Sequence, residues 1–185
     1  MFTPLSSFCH NPLFALNCAA DLAQHFDAPG ESEPAGNIDT IDAPCRQWIE
    51  AAPFALLATA GPAGLDCSPR GGPPGFVQVL DSQTLLMPVR PGNNRIDSLH
   101  NLLADPRMAL LFMIPGIAQT LRVSGNATLS IDPVLLGTCM ADGQAPKVVL
   151  VVQVQRILFQ CTGAVRRAGL WGSDRLAAPG TLPSD

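Results

Sequence analysis

Between residues 53 and 160 the chain is a series of short apolar segments, each of which ends at a turn signal. Phe54–Ala60 ends at Gly-Pro-Ala-Gly, Thr84–Val89 ends before Arg-Pro-Gly, and Arg107–Ile114 ends at Pro-Gly. Glycine and proline together supply 34 of the 185 residues, a content that suits short strands better than a helical bundle. The segments do not alternate with helices as in βαβ units. The pattern therefore predicts a mainly β protein, a small antiparallel barrel with a few flanking helices.

Three further strands and several short helices complete this prediction. The strands are Gly75–Leu80, Gln119–Ile131 and Lys147–Phe159. Apolar spacing and capping residues predict helices at residues 11–26, 42–51, 93–103, 133–140 and 162–170. The segment Arg107–Ile114 is apolar at nearly every position after its first, which predicts a strand that is buried on both faces.

The first 45 residues differ in charge from the rest of the chain. They carry six carboxylates and neither Lys nor Arg, and residues 28–38 have the composition of a linker. We therefore expect three parts: a helical extension with a linker at residues 1–40, a barrel domain at residues 41–175 and a flexible tail at residues 176–185.

The composition argues against several classes of protein. Hydrophobic residues make up 47% of the chain, which excludes wholesale disorder. The absence of Tyr, an aromatic content of 5% and the lack of a basic run predict neither a nucleic-acid nor a membrane partner. The six cysteines form no C-x-x-C pair, so we expect no metal site. The first residues do not resemble a secretory signal, which predicts a cytoplasmic protein.

Arg- and Gly-rich junctions are the best candidates for chemistry, because no hydrolase or nucleotide-binding motif occurs and the three histidines are scattered. The junctions are Cys67–Gly72, Arg90–Arg95 and Pro115–Arg122. The second leads into a helix, whose first N–H groups, together with Asn and Arg side chains, suit an anion. A turn with exposed arginines explains the same residues without a ligand, and physical chemistry alone slightly favours that simpler interpretation. Any redox activity would need a cofactor.

Six segments in this order resemble the pyridoxamine 5'-phosphate oxidase-like, FMN-binding split-barrel superfamily, and within it a branch of FMN-dependent proteins with SPRGG and GNNR signatures. The resemblance covers about Trp48 to Trp171. The segments that carry it are Phe54–Thr59, Ser68–Gly72, Pro74–Val77, Pro91–Leu99, Leu111–Gly116 and Thr120–Gly125. The resemblance implies a six-stranded antiparallel split barrel that forms a homodimer, with two FMN sites at the subunit interface.

The resemblance also implies which residues contact the cofactor. Arg70 matches the family arginine that leads toward the flavin phosphate, and the turn before the third helix matches the phosphate-gripping segment. Gln119 matches a glutamine that approaches the flavin ring, often from the neighbouring strand or subunit. Gln119 and Arg122 have opposite parity on a strand, so at most one of them faces the barrel interior. The candidate cofactor-binding residues are Arg70, Gly71, Asn93, Asn94, Arg95, Ser98, Gln119 and Arg122.

The sequence departs from the oxidase itself in two of its motifs, and it has no counterpart of the basic and histidine residues that would hold pyridoxamine phosphate. Arg70 is followed by Gly-Gly-Pro-Pro instead of an apolar run and a lysine, and Met87-Pro-Val replaces aromatic strand residues. We therefore expect an FMN-dependent oxidoreductase of unknown substrate that is related to pyridoxamine 5'-phosphate oxidase but does not oxidise vitamin B6. A non-catalytic flavin-binding or sensing dimer is the alternative, and haem or a deazaflavin in the same barrel is a third hypothesis.

Overall fold

A computed structural model describes residues 15–16, 18–25, 38–90 and 96–173. The chain divides into two compact units, Met1–Ala35 and Gly36–Asp185. In the first unit a single short helix, α1 (Ala19–Ala23), is described, and Asp21 accepts a hydrogen bond from the backbone N–H of Cys18 at its start. The helix expected at residues 11–26 is thus shorter than predicted, because residues 15–16, 18 and 24–25 are described and are not helical. The remaining residues of that helix, most of the linker and the C-terminal tail lie outside the described residues.

The second unit is a mainly β domain. Its elements are α2 (Ala43–Ala51), β1 (Phe54–Gly61), β2 (Gly64–Gly71), β3 (Gln78–Val79), β4 (Thr84–Val89), α3 (Asp97–Ala104), β5 (Arg107–Met113), β6 (Thr120–Ser130), α4 (Pro133–Thr138), β7 (Val148–Gln160) and α5 (Gly163–Ala168). The strands all pair antiparallel, in the order β2-β1-β5-β6-β7-β4-β3. The prediction of a mainly β antiparallel barrel with flanking helices is confirmed.

Two strands differ from the sequence prediction. The part of the chain that the structure describes has seven strands, because the polar segment Gly64–Gly71 pairs along its whole length with β1. The predicted strand Gly75–Leu80 is reduced to Gln78–Val79. The glycine- and proline-rich stretch before it forms turns, and Gly75 has a φ of 83°, which favours glycine.

The core lies on the inner face of the sheet. On β1 the inner side chains are Ala55, Leu57 and Thr59, whereas Leu56 and Ala58 point to the outer face. The strand β5 alternates in the same way, so the prediction that it is buried on both faces is wrong for the described residues. Its outer side chains Ala109, Leu111 and Met113 are apolar and half-buried, whereas Arg107 at the start of the strand is exposed.

The helix α3 covers the inner face of β1 and β2. Asn101 donates a hydrogen bond to Thr59 Oγ1 at 3.2 Å, and Leu102 is buried in the core. The helix can approach β1 closely because residue 61 is glycine, since a Cβ there would collide with the Asn101 side chain. This contact holds the N-terminus of α3 beside β2. No helix among the described residues is long and apolar enough to span a membrane.

Candidate functional site

Three polar side chains of β2 share its inner face. Asp66, Ser68 and Arg70 alternate along the strand and pair with Thr59, Leu57 and Ala55 of β1, whose side chains face the core. Because β2 is an edge strand, its inner side chains are only partly buried. They therefore meet the first turn of α3 at the rim of the barrel instead of an apolar core.

Arg70 and Ser98 are joined by a hydrogen-bond network. Arg70 Nη2 donates to Ser68 Oγ at 3.1 Å and to Ser98 Oγ at 2.9 Å. Ser98 in turn donates its hydroxyl to Asp66 Oδ2 at 2.6 Å, and the two serine oxygens lie 3.0 Å apart. A serine hydroxyl carries one hydrogen, so Ser98 accepts from the guanidinium while it donates to the carboxylate.

The guanidinium of Arg70 is only partly satisfied by these contacts. Its Nε is buried and has no hydrogen-bond partner. Burial lowers the pKa of Arg70, and the charge of the Asp66 carboxylate opposes that effect. A buried N–H without an acceptor is costly, so an oxygen ligand that reached Arg70 would be stabilised there.

The network borders a cleft of about 200 Å³. Its lining residues are Asp66, Cys67, Ser68, Pro69, Arg70, Asp97 and Ser98. A neighbouring depression shares Asp66 and Asp97 and extends to His100. Arg70 also borders a second cleft of about 210 Å³, which reaches Arg90. Within the described ranges, no group of three His, Cys, Asp or Glu side chains could hold a metal ion.

The structure brings together only part of the predicted site. Arg70 and Ser98 meet, and Gly71 lies next to Arg70 at the border of the second cleft. Asn93, Asn94 and Arg95 lie outside the described residues. They directly precede Ile96, the residue that occupies the N-cap position of α3.

Gln119 and Arg122 do not reach the Arg70 cleft within one chain. Gln119 is half-buried in the turn before β6, and the Trp171 indole N–H fixes this turn by donating to the Ile117 carbonyl at 2.9 Å. Arg122 lies on the outer face of the sheet, where it borders a shallow, mostly apolar groove of about 260 Å³ with Leu56 and Ala58. The inner and outer faces of the sheet thus carry separate candidate residues.

Sequence reasoning missed Asp66, and it placed Ser68 in a candidate junction without giving it a role. The signal was the spacing Asp66-x-Ser68-x-Arg70, since residues two apart lie on the same face of a strand. The signal was hidden because Gly64–Gly71 is too polar to be recognised as a strand from its composition.

Residues 41–161 match the family model described as pyridoxamine 5'-phosphate oxidase. This match spans well over half of the chain, and the antiparallel barrel agrees with it. The chain belongs to the pyridoxamine 5'-phosphate oxidase family and has its split-barrel fold. No curated protein matches the sequence.

Several solved structures are similar to this chain. HupZ of Group A Streptococcus is 18% identical, with a TM-score of 0.52 over 64% of this chain and 93% of that one. A variant of the same protein is 16% identical, with a TM-score of 0.54 over 65% of this chain and 99% of that one. An FAD-binding protein from Mesorhizobium loti is 16% identical, with a TM-score of 0.44 over 64% and 93% of the two chains. At these identities the likeness to HupZ supports the fold alone.

Proposed function

We propose that this protein binds FMN and acts as an FMN-dependent oxidoreductase, with the flavin phosphate held between β2 and the start of α3. The observation that carries this proposal is Arg70, whose side chain lines the cleft and whose buried Nε has no acceptor. Proteins of this family generally bind a flavin. An FMN phosphate would supply the oxygen atoms that the guanidinium lacks.

The other groups around the cleft suit a phosphate in part. Ser68 and Ser98 carry hydroxyls at the cleft. The helix α3 begins at Asp97 with no side-chain capping bond from Ile96, and its first residues, Asp97 and Ser98, line the cleft. The expected phosphate-gripping residues Asn93, Asn94 and Arg95 directly precede this helix. The carboxylates of Asp66 and Asp97, which line the same cleft, oppose an anion.

A bound flavin supplies hydride transfer, which no side chain of this chain can perform by itself. In our proposal the residues of this chain bind the flavin and orient it. Arg70, Ser98 and Arg95 hold the phosphate, and the Gly71 backbone passes beside it. Gln119 contributes to the ring site of the neighbouring subunit.

The proposal includes a homodimer that is formed by the outer faces of β1, β5 and β6. Two polar atoms on this side of β6 are buried and unpartnered: Arg122 Nε, a donor, and Asn126 Oδ1, an acceptor. They lie two residues on either side of Ser124. A twofold axis near Ser124 would bring each Arg122 toward the partner subunit's Asn126, so both orphan atoms would gain partners.

The apolar outer side chains of the same strands support this interface. Leu56 pairs with Leu111, and Ala58 pairs with Ala109, in neighbouring rows of the sheet. Small side chains in the centre of such a face allow a second sheet to pack at about 10 Å. Most residues of β5 are apolar on both faces of the strand. Burial of its outer face in a dimer would explain why that face is apolar. We assign Arg122 to this interface beside the cofactor sites.

The decisive experiment is the visible spectrum of the purified protein, followed by chromatography of the released chromophore and titration of the stripped protein with FMN. We expect about one FMN per chain and a loss of binding in Arg70→Ala. Arg166→Ala is the matched control, because Arg166 is an exposed arginine on α5, which contributes no residue to either cleft at Arg70. Wild type that fails to bind FMN contradicts the proposal.

Turnover of a reduced nicotinamide with an electron acceptor tests the enzymatic part. We expect FMN-dependent turnover that falls with flavin content in Arg70→Ala. A protein that binds FMN stoichiometrically but catalyses no such reaction with any acceptor would be the non-catalytic flavin-binding dimer.

A further inference from the structure

The cleft that we propose for the phosphate contains a carboxylate that already engages the same donors. Asp66 Oδ2 accepts the Ser98 hydroxyl at 2.6 Å, and Ser98 Oγ accepts from Arg70 at 2.9 Å. Asp66 is thus connected to the guanidinium through a single hydroxyl. Its charge also acts on Arg70 directly, in the direction that stabilises the cation.

This arrangement limits what Ser98 can offer to an incoming anion. Its one hydroxyl hydrogen points to Asp66, so only oxygen lone pairs remain for a new ligand. Lone pairs repel phosphate oxygens. A phosphate oxygen can use Ser98 as a donor only if the hydroxyl turns away from Asp66.

The charges of the side chains in the cleft also oppose the binding of an anion. The described residues that line it contribute one guanidinium, from Arg70, and two carboxylates, from Asp66 and Asp97. A phosphate that binds at Arg70 must approach the Asp66 carboxylate within the same small volume of about 200 Å³. Like charges at such distances in a partly desolvated site repel each other by an amount on the order of 1 kcal/mol or more.

We propose that Asp66 is an internal competitor of the ligand phosphate. Without ligand it keeps Ser98 and Arg70 in their bound-like positions, and with ligand it opposes the phosphate and so limits cofactor affinity. The proposal rests on the FMN-binding function proposed above. It defines Asp66 as a positioning residue that sets the preference of the site for phosphorylated over unphosphorylated flavin.

Asp66→Asn isolates the charge of this residue. The amide has the shape of the carboxylate and keeps an oxygen that can accept from Ser98, so the hydrogen bond between the two residues is retained. Wild type and variant are titrated with FMN and with riboflavin, which differ only in the phosphate. We expect the Kd for FMN to fall about tenfold in the variant, equivalent to about 1.4 kcal/mol. The Kd for riboflavin should stay within about twofold.

Asp97→Asn is the matched comparison. Asp97 lines the same cleft but is exposed, so we expect its removal to change the Kd for FMN by no more than about threefold. Asp81→Asn, at an exposed turn between β3 and β4, should change neither Kd. If Asp66→Asn does not fold, Asp66→Ser removes the same charge, keeps a hydroxyl acceptor and provides the same measurement.

The outcomes separate this inference from the proposed function. Wild type that binds no FMN contradicts the proposed function itself. If wild type binds FMN and the Asp66 variant binds it equally or more weakly, Asp66 is not a competitor and the inference is wrong. Equal tightening of FMN and riboflavin would also overturn it, because the effect would not act through the phosphate.

Discussion

Arg70 Nη2 donates to Ser98 Oγ across 2.9 Å, although 28 residues separate the two in the chain. Arg70 is on an edge strand and Ser98 is in the first turn of α3, so their contact depends on how the helix packs against the sheet. The Asn101–Thr59 hydrogen bond and the glycine at position 61 set that packing. The candidate phosphate site is therefore a product of tertiary structure and not of one local motif.

We expect Ser98→Ala to destabilise the protein by about 1–3 kcal/mol, because Ser98 is buried and two charged side chains lose a partner. Urea unfolding followed by circular dichroism measures the difference. Ser82→Ala, at an exposed bend, should stay within about 0.5 kcal/mol of wild type. Equal stability of the two variants would mean that the network adds nothing to the fold.

We expect the protein to sediment as a dimer at micromolar concentration and Ala58→Arg to sediment as a monomer. Ala58 is exposed on the outer face, so the fold of the single chain tolerates a larger side chain there. The same side chain would keep the sheet of a second subunit from packing on that face. Val134→Arg is the control, since Val134 is an exposed apolar residue on α4. Analytical ultracentrifugation decides the matter, and a dimeric Ala58→Arg would place the interface elsewhere.

The fold could be predicted because most strands are apolar segments bounded by glycine and proline, and the resemblance supplied their arrangement. The strand β2 could not be predicted, since Asp66, Ser68 and Arg70 face the rim of the barrel and give the segment a polar composition. A polar edge strand becomes visible only through its pairing with β1. The same polarity hid Asp66, the residue that we infer to limit phosphate affinity.

The position of Arg122 shows a second limit of sequence reasoning. Parity indicated that Gln119 and Arg122 face different ways, but which side is the core depends on the register with β5, where Leu111 pairs with Arg122. An apolar strand such as β5 does not say whether its second face is covered by its own chain or by another. Whether the second face is covered depends on how the strands pair and on how the subunits associate.

Thiol labelling should divide the described cysteines into two groups. Burial raises the pKa of Cys45 to about 12 and also raises that of Cys139, so both remain protonated and unreactive at pH 8. Cys18 and Cys161 are exposed and should react quickly in the native protein. Mass spectrometry after labelling in native and unfolded states assigns each site, and rapid native labelling of Cys45 would contradict its burial.

Cys67 adds a test of the dimer to the same experiment. It is exposed in the single chain and borders the outer-face groove with Ala58. We expect the Cys67 thiol to be labelled slowly in the wild-type dimer and quickly in Ala58→Arg. Equal rates in both proteins would mean that this groove is not covered.

Asp42→Ala should destabilise the protein by about 1 kcal/mol at pH 7, because Asp42 caps α2 and accepts the Cys45 N–H at 2.8 Å. This hydrogen bond lowers the pKa of Asp42 below its ordinary value of 3.8. The contribution of a carboxylate with a lowered pKa is complete above the unfolded-state value and is lost as the pH falls through the folded-state value. Wild type and variant should therefore converge in stability only below about pH 4, as urea unfolding between pH 2 and 7 would show. Asp39→Ala, at an exposed neighbouring position that caps no helix, should change the free energy of unfolding by less than about 0.5 kcal/mol.

Gly125→Ala should be among the most damaging small substitutions in the barrel. Gly125 is buried at the irregularity where the register between β6 and β7 shifts, and a Cβ there would collide with the Gln153 carbonyl oxygen. Backbone on a central strand cannot move aside without breaking the pairing with β7, so we expect the free energy of unfolding to fall by more than about 2 kcal/mol.

Gly137→Ala makes the same chemical change in α4, where a Cβ meets nothing within 4 Å. It should be neutral or stabilise the helix by up to about 1 kcal/mol, because alanine is the better helix former. Thermal unfolding of both variants separates the steric conflict from the general effect of adding a methyl group. A small loss of stability in Gly125→Ala would mean that the backbone at this irregularity can move to accommodate the methyl group.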